Sequence, residues 1–405
     1  MKAWLAFAWR NLWRNGRRTW LTSSGIAFAV FLLVLSLSFQ DGTFSVMVDN
    51  ATRLLSGHVQ FQHPDFKLDQ KIDLTIENPQ NLIQRIKEHP QVIEASARTQ
   101  TYALVSVGER SFGAQVVGVQ SQSELRWSGL PQLIRQGRYL QGRGEAVLGE
   151  GLARNLGLSQ GDELVVLGTA KGGGVAAIVL TVSGIFSSGQ SFIDRGLVQI
   201  DIVDFREAWG MQDEAHTISV VMEDVNQGSA LAAEFTVPGK VLGESWLDLA
   251  PELSQTIEMK RIGAGFFFGI VAMIVTFSVV NSFMMTVFER TPEFGMLKAI
   301  GMQPSQVLLG LQAEALWLSA FGCLLGIGIS ALIIFWLAYT GVPIPGDATE
   351  MLAQFNIPDR IYPQFSTSAA WFSVLVMMVS TQIAALISTW QITRLRAVDA
   401  LRTQT

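Results

Sequence analysis

Four stretches of the chain contain no Asp, Glu, Lys or Arg: residues 19–40, 262–288, 315–346 and 361–393. Each holds a mostly apolar run of about twenty residues, the length of helix that crosses about 30 Å of hydrocarbon. Lipid offers no partners to backbone N–H and C=O groups, so such a run spans only as a helix that pairs them internally. Charged residues make up 16% of the whole, against roughly 25% in soluble globular proteins, and the deficit is concentrated in these windows. The fold class expected is therefore a membrane α-helical protein with four transmembrane helices, at 19–40, 263–288, 305–340 and 368–392.

Basic residues in the short flanks set the orientation. Lys2, Arg10, Arg14, Arg17 and Arg18 precede the first span without an acid among them. Arg394, Arg396 and Arg402 follow the last against Asp399 alone, while Asp347, Glu350 and Asp359 lie between the third and fourth spans against Arg360. Both termini and the loop at 289–304 are thus expected in the cytoplasm, and residues 41–262 and 341–367 outside. Residues 1–18 mix Trp4, Trp9 and Trp13 with arginines, which suits a helix lying in the membrane interface; residues 393–405 read as a cytoplasmic tail. The first apolar run is longer than a signal-peptide core and no small-residue cleavage site follows it, so it reads as an uncleaved anchor.

Residues 41–262 are numerous enough for a core of their own. Short strands alternate there with short helices. Residues 58–62 alternate as a strand, and residues 79–89 read as a helix capped by Asn78. A hairpin turns at 108–111, a strand-to-helix step runs over 146–156, and a second hairpin turns on the glycines at 172–174. The first and second halves each carry strand–helix units, which predicts a large α+β extracytoplasmic domain of two lobes. Helical spacing continues from the first span to residue 55 and from residue 245 into the second, giving a stalk helix at each end.

Catalytic signatures are missing. The four histidines, His58, His63, His89 and His216, have no metal-ligand spacing. Thr169-Ala-Lys-Gly-Gly-Gly174 lacks the phosphate-loop pattern and joins two strands, so it reads as a hairpin turn. No basic stripe with interleaved aromatics points to nucleic acid. The single cysteine, Cys323, excludes an intramolecular disulfide. The spans contain few polar groups: Asn281, Glu314 near the cytoplasmic end of the third, and Gln382. One acid is too little for a proton relay, and Glu314 reads as a structural hydrogen-bonding group. Gly322, Gly326 and Gly328 are small residues at spacings that let helices approach closely.

The most informative segment is the polar island Glu289-Arg-Thr-Pro-Glu-Phe-Gly-Met-Leu-Lys-Ala-Ile-Gly-Met302. It carries helix signals of its own: Thr291 as cap, Pro292 at the first position, Gly301 at the exit. Phe294, Leu297 and Ile300 supply an apolar side, while Glu293 and Lys298 keep it wettable. An amphipathic helix held between two spans is placed to touch a cytoplasmic partner and transmit force.

This order of parts resembles the FtsX/LolC/LolE/MacB class of ABC transporter permeases, the mechanotransmission type. The likeness rests on Trp9-Arg-Asn-Leu-Trp-Arg-Asn with Arg18, Thr19, Leu21 and Gly25-Ile26 at the start, the 289–301 loop, and Arg396 with Ala400-Leu-Arg402 at the end. The resemblance implies a permease working as a homo- or heterodimer with a second permease subunit, bound to a cytoplasmic ABC ATPase dimer that holds ATP and Mg. Glu289, Arg290, Glu293, Phe294, Gly295, Leu297, Lys298, Ala299, Ile300 and Gly301 match the family's coupling helix. It further implies an inner-membrane location, contact with membrane lipid and with a periplasmic carrier or adaptor, and extraction of lipidated or hydrophobic cargo such as lipoproteins. An FtsX-like signal transmitter that activates a periplasmic partner, for example a cell-wall hydrolase, is the alternative. Neither catalytic nor cofactor-binding residues are expected in this chain.

Overall fold

The computed structural model describes residues 16–343, except 292, 294 and 297–299, and residues 360–394; residues 18, 304 and 389–394 are described by backbone alone. The surface helix expected at 1–18 and the tail at 393–405 lie almost wholly outside the described residues, as does most of the 341–367 loop.

Helix α1 (Gly16–Leu55) leads into β1 (Val59–Gln62), α2 (Phe66–Asp69), β2 (Ile76–Glu77), α3 (Pro79–Lys87), the hairpin β3 (Val92–Val107) and β4 (Arg110–Val119), and α4 (Ser121–Trp127). Next come β5 (Ile134–Gly137), β6 (Glu145–Gly149), α5 (Glu150–Leu156), β7 (Glu163–Thr169), β8 (Val175–Phe186), α6 (Ser191–Gly196), β9 (Leu197–Asp201) and α7 (Ile202–Trp209). The chain returns through β10 (Glu214–Ala215), β11 (Thr217–Met222), α8 (Gly228–Phe235), β12 (Leu242–Ser245) and α9 (Trp246–Leu249). Then follow α10 (Pro251–Glu289), α11 (Pro304–Thr340), β13 (Val342–Pro343), β14 (Arg360–Ile361) and α12 (Thr367–Arg394). The described residues form two units: a membrane unit of 16–43, 258–343 and 360–394, and an α/β unit of 44–257.

In the membrane unit, α1, α10, α11 and α12 are each long and apolar enough to span a bilayer. Ile26, Val30 and Leu33 of α1 meet Phe268, Val279 and Phe283 of α10, Ala315 and Leu318 of α11, and Met377 and Ala384 of α12. The pair Val342↔Ile361 joins the end of α11 to the approach to α12. Helix α1 has 40 residues and α10 has 39. At 1.5 Å per residue each is about 60 Å long, about twice the hydrocarbon thickness, so both continue well past it. The second begins later than the 245 expected. Ser245 caps the short α9 through Asp248 Oδ2, at 3.2 Å from its N–H and 3.1 Å from its hydroxyl, and Ala250 leaves the helical region before Pro251 restarts it.

The α/β unit is built on a ten-stranded sheet in the order β12-β1-β11-β3-β4-β9-β6-β8-β5, with β7 bridging β3 and β8. Two lobes are present, but they are nested rather than sequential. Residues 59–97 and 202–241 build one core, around Phe61, Ala97, Ile218, Val220 and Phe235. Residues 103–211 build the other, around Val105, Leu148, Val166, Leu180 and Trp209. The reason is β11, which pairs antiparallel with both β1 and β3 through Val220↔Val59 and Val220↔Ala95 and closes the outer lobe around the inserted one. Asn78 also departs from expectation. It stands at the N-cap position of α3 with φ of +49° and makes no side-chain cap bond; Asn tolerates this left-handed region better than most residues.

Segment 63–73 is tied down by His216, which is fully buried. Its Nδ1 accepts from the Gln100 N–H at 3.0 Å, its Nε2 donates to the Ile72 carbonyl at 3.1 Å, and the ring stacks on Phe66 with centroids 5.0 Å apart. Only the neutral imidazole satisfies both bonds, and burial pushes its pKa down from 6.5 to about 4. The unfolded chain therefore binds the extra proton first. The contribution is fully present above pH 6.5 and is lost as pH falls toward 4, by linkage up to about 3 kcal/mol. Hydrogen exchange at the Gln100 amide should accelerate over this pH window, and His216→Phe should abolish the pH dependence there.

Candidate functional site

The loop between the second and third spans is anchored at both ends. Val287 at the end of α10 packs with Val307 and Leu311 at the start of α11, and Met302 joins them. Arg290 lies between the two helices. Its Nε donates to Glu293 Oε2 at 3.0 Å and its Nη1 to Glu314 Oε2 at 3.3 Å. Glu314 is 7% exposed, so the acid in the third span serves as counter-charge to the loop arginine. Thr291 sits in helical backbone, and its hydroxyl donates back to the Val287 carbonyl at 2.8 Å, which is the interior pattern of a helix and not the cap expected. The Ile300 N–H donates to the Met296 carbonyl at 3.1 Å, and Gly301 has φ of +99°, a conformation that only glycine adopts readily.

Of the residues matched to the coupling helix, Glu289, Glu293 and Ile300 are exposed, and Gly295 is buried. Phe294, Leu297, Lys298 and Ala299 lie outside the described residues. Met296, absent from that match, is 57% exposed, and Ile300 is 79% exposed four residues on. Two large apolar side chains thus face outward from a loop whose base is fixed by packing and an ion pair.

The small residues of α11 separate into two kinds. A Cβ at Gly322 would stand 2.9 Å from Ile26 Cβ, and one at Gly326 would stand 2.7 Å from the Ala27 carbonyl. Both form a seam against α1. A Cβ at Gly328 would meet nothing within 4 Å, so this glycine is no part of the seam. Asn281 is exposed on α10. Gln382 is half-buried on α12, with its amide nitrogen unpaired among the described residues. Those residues also contain no group of three His, Cys, Asp or Glu side chains able to hold a metal ion.

A second constellation escaped the sequence reading. Where α1 ends, Arg98 of β3 donates from Nε and Nη2 to the two carboxylate oxygens of Glu124 on α4, each at 2.7 Å, and from Nη1 to the Leu55 carbonyl. Its guanidinium also lies 4.7 Å from the Trp127 ring. Arg98 is 3% and Glu124 0% exposed. The Gly129 N–H donates to the Arg53 carbonyl at 3.3 Å, and Asp49 Oδ1 bonds the buried His58 at 3.0 Å. The last turn of α1, whose carbonyls have no partner within the helix, is thus held by the sheet and by α4. Phe44 and Val48 of α1 pack with Leu253 and Ile257 of α10 and with Trp246. Nothing in the sequence marked Arg98 and Glu124, because they are far apart in the chain and neither belongs to a motif.

Two family models match the chain. Residues 19–236 match the MacB-like periplasmic core domain, and residues 265–397 match the FtsX-like permease C-terminal model. The lipoprotein-releasing system transmembrane protein LolC of Xylella fastidiosa is 23% identical over 411 residues, spanning 96% of this chain and 95% of that protein. LolC of Neisseria meningitidis serogroup B is 22% identical, over 83% of this chain and 82% of its own. LolE of Haemophilus influenzae is 21% identical, over 76% and 75%. Among solved structures, the periplasmic region of MacB from Actinobacillus actinomycetemcomitans aligns with 51% of this chain and 95% of its own, at 14% identity and a TM-score of 0.36.

Removing Arg98 would leave Glu124 buried beside apolar groups. Arg98→Ala should destabilise the α/β unit by about 3–5 kcal/mol, whereas the double change Arg98→Met with Glu124→Leu should recover most of it. Thermal unfolding of the detergent-solubilised protein checks both.

Proposed function

Because the chain belongs to the ABC-transporter permeases that join a MacB-like periplasmic core domain to an FtsX-like C-terminal half, we propose that a separate ATPase drives it to release lipidated cargo from the inner membrane. ATP and Mg bind in that partner. The loop at 289–302 is the contact, and it faces the cytoplasm together with both termini, as the basic flanks require.

The observation that carries this reading is the exposed pair Met296 and Ile300 on a loop anchored by Arg290 to Glu314. Apolar groups at i and i+4 are the anchors by which a helix seats in a groove. The fixed base passes displacement on instead of absorbing it. Helix α10 runs without interruption from Glu289 back to Pro251, and its first turns pack against the end of α1. A push on the loop therefore becomes a movement of the two stalks. The cargo class is supported by the lipoprotein-releasing relatives and by spans poor in polar groups, which suit lateral entry from lipid better than an aqueous channel.

In a reconstituted complex, Met296→Ala with Ile300→Ala should weaken ATPase binding about tenfold, as loss of about 1.4 kcal/mol of anchor energy requires. Phe294→Ala with Leu297→Ala should uncouple hydrolysis from release. Unchanged binding and coupling in both variants would overturn the loop assignment. Complexes purified with a hydrolysis-dead ATPase should retain lipoprotein. Recovery of a cell-wall hydrolase with no lipoprotein or lipid would instead favour a signal transmitter.

A further inference from the structure

A polar cavity of about 130 Å³ opens on one face of the large sheet, with Leu55 and Ser56 at the end of α1 as one wall. Strands β1, β3, β4 and β9 each line it with a glutamine: Gln60, Gln100, Gln115 and Gln199. The pairs Gln100↔Val117 and Val117↔Gln199 set three of these strands in register across its floor. The amides are only half used. Gln199 is 1% exposed, and its oxygen accepts from the Tyr139 hydroxyl at 2.7 Å, while its nitrogen has no partner among the described residues. The Gln100 oxygen accepts from the Gln115 nitrogen at 3.4 Å, and the Gln60 nitrogen donates to Gln62 at 2.8 Å. That leaves the Gln100 nitrogen and the oxygens of Gln60 and Gln115 without partners among the same residues. A buried donor without a partner is costly, and packing alone needs no such row of amides.

We propose that this cavity binds the edge of a hexopyranose, with the four glutamines on its hydroxyls and Tyr102 against its ring. Arg98 also lines the cavity, but Glu124 balances its charge through two hydrogen bonds of 2.7 Å. The site is therefore neutral, which disfavours a bare anion or cation. It offers N–H donors and C=O acceptors together, and a hydroxyl answers both. Tyr102 stands at the rim, directly opposite Gln115 and two residues along the same strand from Gln100, and is 67% exposed. Its ring is a flat apolar surface beside polar groups, which suits a molecule with a C–H face and a hydroxyl edge. Size sets how the ligand enters. A cavity of about 150 Å³ holds benzene, so this one admits about six heavy atoms, which is one side of a sugar ring and not the whole of it. The rest of the ring then lies over Tyr102. The site is contained in the α/β unit and does not depend on how the loop at 289–302 is used.

The test uses the full-length protein in nanodiscs of phosphatidylcholine, which bring no sugar of their own, with maltose and N,N′-diacetylchitobiose as probes. Saturation-transfer NMR should show binding of at least one of them, with transfer to the ring protons. Tyr102→Ala and Gln100→Leu should each weaken that binding about tenfold, while Tyr102→Phe, which keeps the ring, should retain it. Tyr102 is exposed, so its replacement leaves the core intact and thermal unfolding should not change. Absence of binding by both saccharides overturns the proposal. Binding unchanged in either Tyr102→Ala or Gln100→Leu also overturns it, as does displacement of the saccharide by an equal concentration of inorganic phosphate, which would make the site an anion site. None of these readouts needs the ATPase or cargo, so failure here and failure of the coupling assignment are separable.

Discussion

A lipid interior accepts no unpaired backbone polar group, and that constraint shapes this protein from end to end. It imposes helices on the four charge-free windows. It also makes the exit of each helix from the membrane the place where structure has to be decided, because a helix end leaves carbonyls or amides without partners. Helix α1 defers that decision until Leu55, where the carbonyls of its last turn find the Gly129 amide and the Arg98 guanidinium. The Arg98–Glu124 pair is thus the fixture that lets a membrane helix end inside a sheet domain. With Asp49 on His58 alongside it, the end of the helix is clamped and not hinged.

The opposite end of the spans follows the same logic with different chemistry. There the two spans are separated by a short loop, and the ion pair between Arg290 and Glu314 holds it. An acid inside a span first invites thoughts of proton movement. Its partner arginine gives it a simpler role, which is to hold the loop against the start of α11. Between the two ends, the Gly322 and Gly326 seam brings α11 against the backbone of α1, where van der Waals contact replaces the hydrophobic drive that lipid cannot supply.

Much of this was legible in the sequence, for identifiable reasons. Charge-free windows and basic flanks are local signals, as are glycine turns, so the spans and both hairpins could be read from short segments. The glycine at 301 was legible for the same reason, since a helix exit is local chemistry. Gly328 misled because spacing along a helix does not say which way a residue faces. Thr291 and Asn78 misled because cap residue types also serve other backbone geometries. The nested lobes and the Arg98–Glu124 pair were not legible at all. Both depend on which distant strands meet, and strand pairing across a long insertion leaves no local trace. The second stalk was read as one helix from 245 because the sequence stays helical in character through Ala250, although Asp248 caps a separate short turn there.

The nesting of the two lobes has a consequence for how the protein is made. Strand β1 pairs first with β11, whose residues follow about 160 positions later, and then with β12. At 5–20 residues per second, synthesis takes roughly 10–30 s to cover that distance. Until those residues are made, β1 has an open edge on both sides. The inserted lobe, complete by residue 211, can fold first and hold the chain compact until the outer lobe closes over it. The order of residues along the chain thus prescribes an order of assembly, inside to outside, for a domain tethered to a membrane from its first moments.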